Sequence, residues 1–249
     1  PPWLALSLRE LRSRWRAALF LALNLACGLA GFVALDGFER SIGEALSLRS
    51  RESLGADVAV RSARELKPEE QARLDALAGP RAVVSRVVQL YSMAGSAGRA
   101  RLVELRAIEA NYPLYGSVEL ESRGAADAQL HRELAGARGL WADPELFAQL
   151  RTQPGGELSL GSQRFRLLAV VGRDAARQAG NFSMAPRLYL ALPQLASTGL
   201  AAFGSRVEHQ RLYRLADGSD ADAVAAAMRE ASGDASLRVQ SHREATRDL

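Results

Sequence analysis

Residues Ala17 to Leu35 read AALFLALNLACGLAGFVAL, with no charge and only Asn24 strongly polar. Wound as a helix, such a run is roughly 28 Å long, about the thickness of a bilayer's hydrocarbon core. A helix buried in a water-soluble protein keeps a polar stripe, and this run has none. The sequence therefore predicts a transmembrane helix. A cleaved signal peptide has an apolar core of only about 7–15 residues and then a small-residue cleavage site. Here the run is longer and no Ala-x-Ala site ends it. A lipoprotein signal places its cysteine after a Leu-x-Ala-type box, whereas Cys27 has Asn24 three positions before it and apolar sequence after it. Gly28 and Gly31 either admit a neighbouring helix or are ordinary glycines of a membrane helix. Asn24 bonds either a neighbouring helix or its own backbone.

The flanks set the orientation. Arg9, Arg12, Arg14 and Arg16 against Glu10 give residues 1–16 a charge of +3, which leaves +1 of the chain's +4 for everything else. The positive-inside bias then puts the first residues in the cytoplasm and everything after Asp36 outside. A nucleic-acid-binding surface would carry its basic residues on the folded part instead, so no nucleic-acid partner is expected. Pro2 to Trp15 interleaves Trp3, Leu4, Leu6, Leu8, Leu11 and Trp15 with arginines, the pattern of an amphipathic helix lying on membrane lipid. Beyond the run, Phe38 to Arg51 has no proline and continues as a stalk. Gly37 and Gly43 in that stalk are either hinges or small residues facing a packed neighbour, and the second reading is preferred.

The rest of the chain predicts an α+β fold. Gly55 ends the helical pattern, and Asp57 to Arg61 alternates as a strand. Pro68 opens a helix with Glu69 and Glu70 in its first turn, and Gly79-Pro80 closes it. Ala82 to Tyr91 is the next strand. The same order recurs late: a strand at Val207 to Leu215, a helix at Asp220 to Ala231, and a strand at Ser236 to Gln240. Two such units predict a split α/β layer, βαβ plus βαβ. Between them, Arg101 to Ile108, Glu157 to Leu160, Arg164 to Gly172 and Arg187 to Leu192 read as short strands of an inserted β-rich subdomain. Ala142 to Leu150 and Leu192 to Thr198 read as short helices. The resulting division is 1–16 (cytoplasmic amphipathic helix), 17–50 (transmembrane helix and stalk), 51–92 plus 206–241 (outer α/β subdomain), 93–205 (β-rich insert) and 242–249 (start of the next helix).

Chemistry is scarce. With a single cysteine, neither an internal disulfide nor a cysteine-based metal site is available. His131, His209 and His242 lack the spacing of helix-borne metal ligands. His131 and His242 are expected on the surface, His209 in or near a strand. Gly95-Ser96-Ala97-Gly98 lacks the Gly-x-Ser-x-Gly of a nucleophile elbow and reads as a hairpin turn; Gly180-Asn181-Phe182 reads as a loop. No phosphate-cradling Gly-x-x-x-x-Gly-Lys-Ser/Thr occurs, which excludes an ATPase within this chain. Glu69-Glu70 is a favourable helix start rather than an acid–base pair. Leu90, Tyr91 and Tyr112 are read as core rather than as a lipid-facing groove. No catalytic, cofactor-binding or metal-binding residue is expected, and no cofactor.

Five segments carry a resemblance: LGADVAVRS at 54–62, LVELRAIEANYPLYG at 102–116, GLWADPELFAQL at 139–150, GGELSLGSQRFRLLAVV at 155–171 and APRLYLALPQLASTGL at 185–200. Together with the basic start and the apolar run, they resemble the FtsX-like ABC transporter permeases with a MacB-type periplasmic core domain, in their YbbP-like branch. The resemblance implies an inner-membrane, non-catalytic subunit with further membrane helices and a cytoplasmic ATPase partner. It also implies mechanotransmission, in which ATP-driven closure moves the periplasmic domain. For this branch it implies work on hydrophobic or lipid-like molecules, with a periplasmic esterase as a further partner. A single-pass adaptor or sensor and an anchored hydrolase are the competing classes. The permease class predicts a further apolar run shortly after Leu249.

Overall fold

The computed structural model describes residues 15–136, 138–176, 185–201, 206–234 and 236–247. The expected surface helix before Trp15 and the loop at Gly180-Asn181-Phe182 lie outside them. The chain divides into two compact units, Pro1–Leu48 and Arg49–Leu249.

The described part of the first unit is helical. Helix α1 runs without a break from Trp15 to Leu54, through Gly37 and Gly43. In it Leu19, Phe20, Leu23, Leu25, Leu29, Phe32, Val33 and Leu35 are between 57% and 72% exposed. Asn24 donates its amide to the Phe20 carbonyl at 2.8 Å, so of its two expected partners it uses its own backbone. Among the described residues no helix is long and apolar enough to cross a membrane; the side chains at 17, 18, 21 and 22, inside the apolar run, are not among those described.

Among the described residues the second unit has eleven strands. In chain order they are β1 (Val58–Ser62), β2 (Val83–Ser96), β3 (Arg99–Ile108), β4 (Val118–Leu120), β5 (Gly124–Ala125), β6 (Gly139–Ala142), β7 (Glu157–Leu160), β8 (Gln163–Asp174), β9 (Arg187–Ala191), β10 (Val207–Arg214) and β11 (Arg238–Ser241). The helices that follow α1 are α2 (Pro68–Ala78), α3 (Ala128–Gly136), α4 (Pro144–Leu150), α5 (Leu192–Thr198), α6 (Ala221–Ser232) and α7 (His242–Arg247). The local signals act as physics requires. Pro68 sits in the first turn of α2, and the Glu70 carboxylate reaches back to accept from the Lys67 amide at 2.8 Å. Asp220 caps α6 by accepting from the Asp222 amide. Ala97-Gly98 turns the β2–β3 hairpin with both residues at positive φ, the geometry that matches strand twist.

The strand order β11-β1-β10-β2 interleaves the two strand–helix–strand units, every neighbour antiparallel. Their core places Val58, Val60, Tyr213 and Val239 against Leu74 of α2 and Ala225 and Met228 of α6. From β2 the sheet continues β3-β9-β6-β8, and β7 pairs with both β8 and β2, closing a ring. The inside of that ring is apolar: Leu90, Val103, Leu105, Leu140, Leu158, Phe165, Leu167, Leu188 and Leu190, capped by Leu146 and Phe147 of α4 and Leu195 of α5. Strand β2 is longer than its sequence pattern predicts. It runs through residues 92 and 93, so the outer layer and the ring share it.

Outward-facing ring residues form a third core: Ile108, Trp141 and Tyr189, of opposite parity to their inward neighbours, and Ala169 and Val171, which a bulge in β8 turns to the other face, meet Leu54, Ala56, Tyr112, Leu114 and Leu134.

Candidate functional site

The two most distinctive sequence segments, LGAD (54–57) and YPLYG (112–116), come together where α1 ends. Gly55 stops the helix at φ 71°. A Cβ there would lie 2.8 Å from the Ala176 Cβ, well inside van der Waals contact. Gly116, at φ 74°, is pressed in the same way on the Ala175 Cβ, at 2.5 Å. Both segments thus lie on the chain leaving β8, and only glycine fits at either point. Gly55→Ala is expected to cost about 2 kcal/mol, from the left-handed backbone plus the clash. A thermal melt checks this, and an unchanged midpoint would show that the joint has room.

Asp57 is the centre of this joint, 3% exposed. Its Oδ2 accepts from the Tyr115 hydroxyl and from the Leu215 amide, each at 2.8 Å. Its Oδ1 lies 3.1 Å from Nε of Arg51, in the last turn of α1, and that guanidinium stacks over the Tyr115 ring at 5.6 Å. Its backbone carbonyl accepts from the His242 amide, at 2.9 Å, and lies 3.3 Å from His242 Nδ1. One residue therefore ties the end of α1, the YPLYG loop, the exit of β10 and the start of α7. Burial and the Asp57 carboxylate push the Tyr115 hydroxyl up to about 12, so it stays a donor.

His131 and His242 are not on the surface; they are 5% and 1% exposed. His242 is drawn in by Asp57. His131 lies on the inner side of α3, a helix the sequence reading lacked, where its ring meets Trp141 edge-on at 5.2 Å. The signal for α3 was present in Asp127, which caps it by accepting from the Leu130 amide at 2.8 Å. His209 lies in β10, as expected. Leu90 and Tyr112 are core, while Tyr91 is 53% exposed beside Met93 and Leu102 on the β2–β3 ribbon. Its side chain falls on the outward face of the ribbon, beyond the reach of the third core.

Burial lowers the pKa of His242, with Arg51 and Arg243 reinforcing the shift and Asp57 opposing it; burial likewise lowers His209, with Glu65 opposing. A depressed histidine contributes stability above its ordinary value of 6.5, and that contribution is lost as the pH falls through the folded value. The surface carboxylates Glu70 and Asp234, held at about 2 by Arg64 and by Ser236 respectively, act only in more acidic solution. The melting temperature is expected to begin falling just below pH 6.5, before Glu70 and Asp234 titrate. A flat profile between pH 7 and 5 would contradict this.

A second buried polar cluster lies on the outer wall of the ring. Asp174 Oδ2 accepts from the Tyr189 hydroxyl at 2.6 Å, from the Tyr112 hydroxyl at 3.3 Å and from Arg106 Nη1 at 3.3 Å. Glu104 sits 3.3 Å from Arg106 and 3.6 Å from Arg187. Two cations and two anions balance there, all nearly out of water. Desolvation, followed by the Asp174 charge, raises both tyrosine hydroxyls, so they remain protonated donors. Among the described residues no group of three or more His, Cys, Asp or Glu is placed to hold a metal ion. The arrangement locks together the strands and loops that carry these groups.

No protein-family model matches the chain. In sequence it is 29% identical over 199 residues to the Escherichia coli (strain K12) protein named uncharacterized ABC transporter permease YbbP. That alignment takes 80% of this chain but 23% of the relative, so the chain spans about a quarter of its length. In fold it matches the crystal structure of the periplasmic region of MacB from Actinobacillus actinomycetemcomitans, with a TM-score of 0.50 and 11% identity, over 80% of this chain and 94% of that one. The resemblance read from LGAD, YPLYG and the W-x-D-P-x-L segment therefore stands: the chain is similar to an ABC transporter permease and carries a domain of the MacB periplasmic fold.

Proposed function

We propose that this chain is the first membrane-spanning helix and first periplasmic domain of a permease subunit of a bacterial ABC transporter. It sits in the inner membrane with its N-terminus in the cytoplasm, does no catalysis, and converts ATP hydrolysis by a cytoplasmic partner into movement of the domain. The observation that carries the reading is the Asp57 joint, at which the end of α1 is bound into the folded unit by an ion pair and a cation–π contact. The membrane span is supported by large apolar side chains exposed along Leu19 to Leu35. In water such surface costs about 25 cal/mol per Å²; in lipid it costs nothing.

Within the domain, 51–92 with 206–241 form the outer α/β part and 93–205 the inserted β-rich part. The interleaved outer strands and the closed ring favour that division. On the same reading the cargo is a lipid-like or hydrophobic molecule, and a periplasmic esterase is a further partner. Affinity purification of the full-length permease in mild detergent tests the assignment. An ATP-hydrolysing subunit should co-purify in fixed ratio; a permease recovered alone from cells expressing its whole gene neighbourhood would contradict it.

A further inference from the structure

A pocket of about 380 Å³ lies in the second unit, over the sheet face formed by β11, β1, β10 and β2. This is within the range of roughly 300–1,000 Å³ typical of small-molecule sites. The strand register gathers its charges. Arg61 of β1 lies directly opposite Arg238 of β11 on one side and Gln210 of β10 on the other. Glu208, two residues before Gln210, lies opposite Gln89 of β2, and Tyr91 is two residues further along β2. Side chains alternate along a strand, so Arg238, Arg61, Glu208, Gln89 and Tyr91 all project from one face. Arg206, just before β10, also lines the pocket.

Three cations therefore meet one anion, an excess of two positive charges. Glu208 is 3.8 Å from Arg61 and also accepts from Gln210 at 2.6 Å. Neither Arg206 nor Arg238 has a carboxylate partner among the described residues. Like charges directly opposite on paired strands repel, yet the Arg61 side chain is only 15% exposed beside Arg238. Burial lowers the Arg61 pKa; Glu208 opposes the shift, and Arg106 and Arg238 add to it. Gln240 takes Nη1 of Arg61 at 2.8 Å. Its Nη2 has no hydrogen-bond partner among the described residues and is not one of the atoms closed to water. Beyond the arginines, Met93 and Leu102 pair across the β2–β3 hairpin and continue the face of Tyr91, each about half exposed.

We infer that this pocket binds a phosphate group carried on an apolar body. Arg61, Arg206 and Arg238 hold the phosphate oxygens, and the hydrocarbon lies along Tyr91, Met93 and Leu102. A guanidinium offers paired donors that match phosphate geometry, and a phosphate dianion balances the excess charge. The site is independent of the membrane reading, since every lining residue belongs to the second unit.

The test titrates the full chain in nonionic detergent by calorimetry, at low ionic strength and about pH 8, where phosphate is a dianion. The probes are hexyl phosphate, hexanol and inorganic phosphate. Hexyl phosphate should bind roughly tenfold more tightly than hexanol, the worth of one charge-assisted hydrogen bond. It should bind roughly tenfold more tightly than inorganic phosphate, the worth of about two buried methylenes. Arg238→Gln should weaken hexyl phosphate by about tenfold and leave hexanol unchanged. Because it removes a like-charge pair, it should not lower the melting midpoint. Arg164→Gln, which removes the same charge from an exposed position outside the pocket, should leave all three affinities unchanged. Tyr91→Ser should bring hexyl phosphate down toward inorganic phosphate. No binding of hexyl phosphate, an affinity matched by hexanol or by inorganic phosphate, binding untouched by Arg238→Gln, or an equal loss in Arg164→Gln would each overturn the inference.

Discussion

Replacing Asp57 by alanine is expected to lower the melting midpoint of the domain by roughly 6–12 °C. The substitution leaves the Tyr115 hydroxyl and the Leu215 amide without their shared acceptor. The buried Leu215 amide, so stranded, costs about 1–3 kcal/mol, and the half-buried Tyr115 hydroxyl costs less because water reaches it. Arg51 loses its counter-ion as well, but it is 34% exposed and water recovers part of that loss. The sum is about 3 kcal/mol, and each kcal/mol is worth about 2–4 °C in a domain of this size. Asp57→Asn keeps an oxygen for these donors and should fall by less than half as much. If the alanine variant melts with the wild type, the residue does not hold the joint.

The second large effect is expected at Arg106. Arg106→Met removes the cation that lies between Glu104 and Asp174, both 3% exposed as side chains. Glu104 is then left to Arg187, and Asp174 to two tyrosine hydroxyls and the Ala176 amide. Breaking a buried ionic network from one side costs about 3–5 kcal/mol, because the remaining charge stays desolvated. The same substitution at Arg164, 81% exposed and 3.7 Å from Glu157, is expected to change stability by less than about 0.5 kcal/mol. Chemical denaturation of the two variants gives the comparison directly. Equal losses would mean that burial is not what makes the cluster matter.

The parts of this fold that the sequence shows are those set by local physics. Alternation marks β1, β3 and β10, and proline and glycine bound α2. Leu192–Thr198 is helical over the span its pattern predicts. What it does not show is set by distance along the chain. The bond from Tyr115 to Asp57 joins residues 58 positions apart, and nothing in LGAD or YPLYG alone says that they meet. The ring closes only because β7 pairs with both β2 and β8, a contact invisible to periodicity. Helix α3 escapes notice because no proline opens it, as one opens each of the shorter α4 and α5, and its apolar face is shared with a histidine. His131 and His242 look like surface residues because a polar side chain's partner, here a backbone carbonyl, leaves no trace in composition. The polar cluster around Asp174 is hidden for a related reason: Glu104, Arg106 and Arg187 alternate with leucines, as residues on a solvent face would.

Everything functional depends on the apolar helix separating a cytoplasmic end from a domain on the far side. Cysteine labelling of the full chain in intact cells tests this most directly. Ser219→Cys sits in an exposed turn before α6, and the native Cys27 lies within the apolar run. With the outer membrane permeabilised, a membrane-impermeant maleimide should label position 219 and leave Cys27 untouched. Labelling of position 219 only after the cells are broken open, or reaction of Cys27 as fast as position 219, would contradict the account.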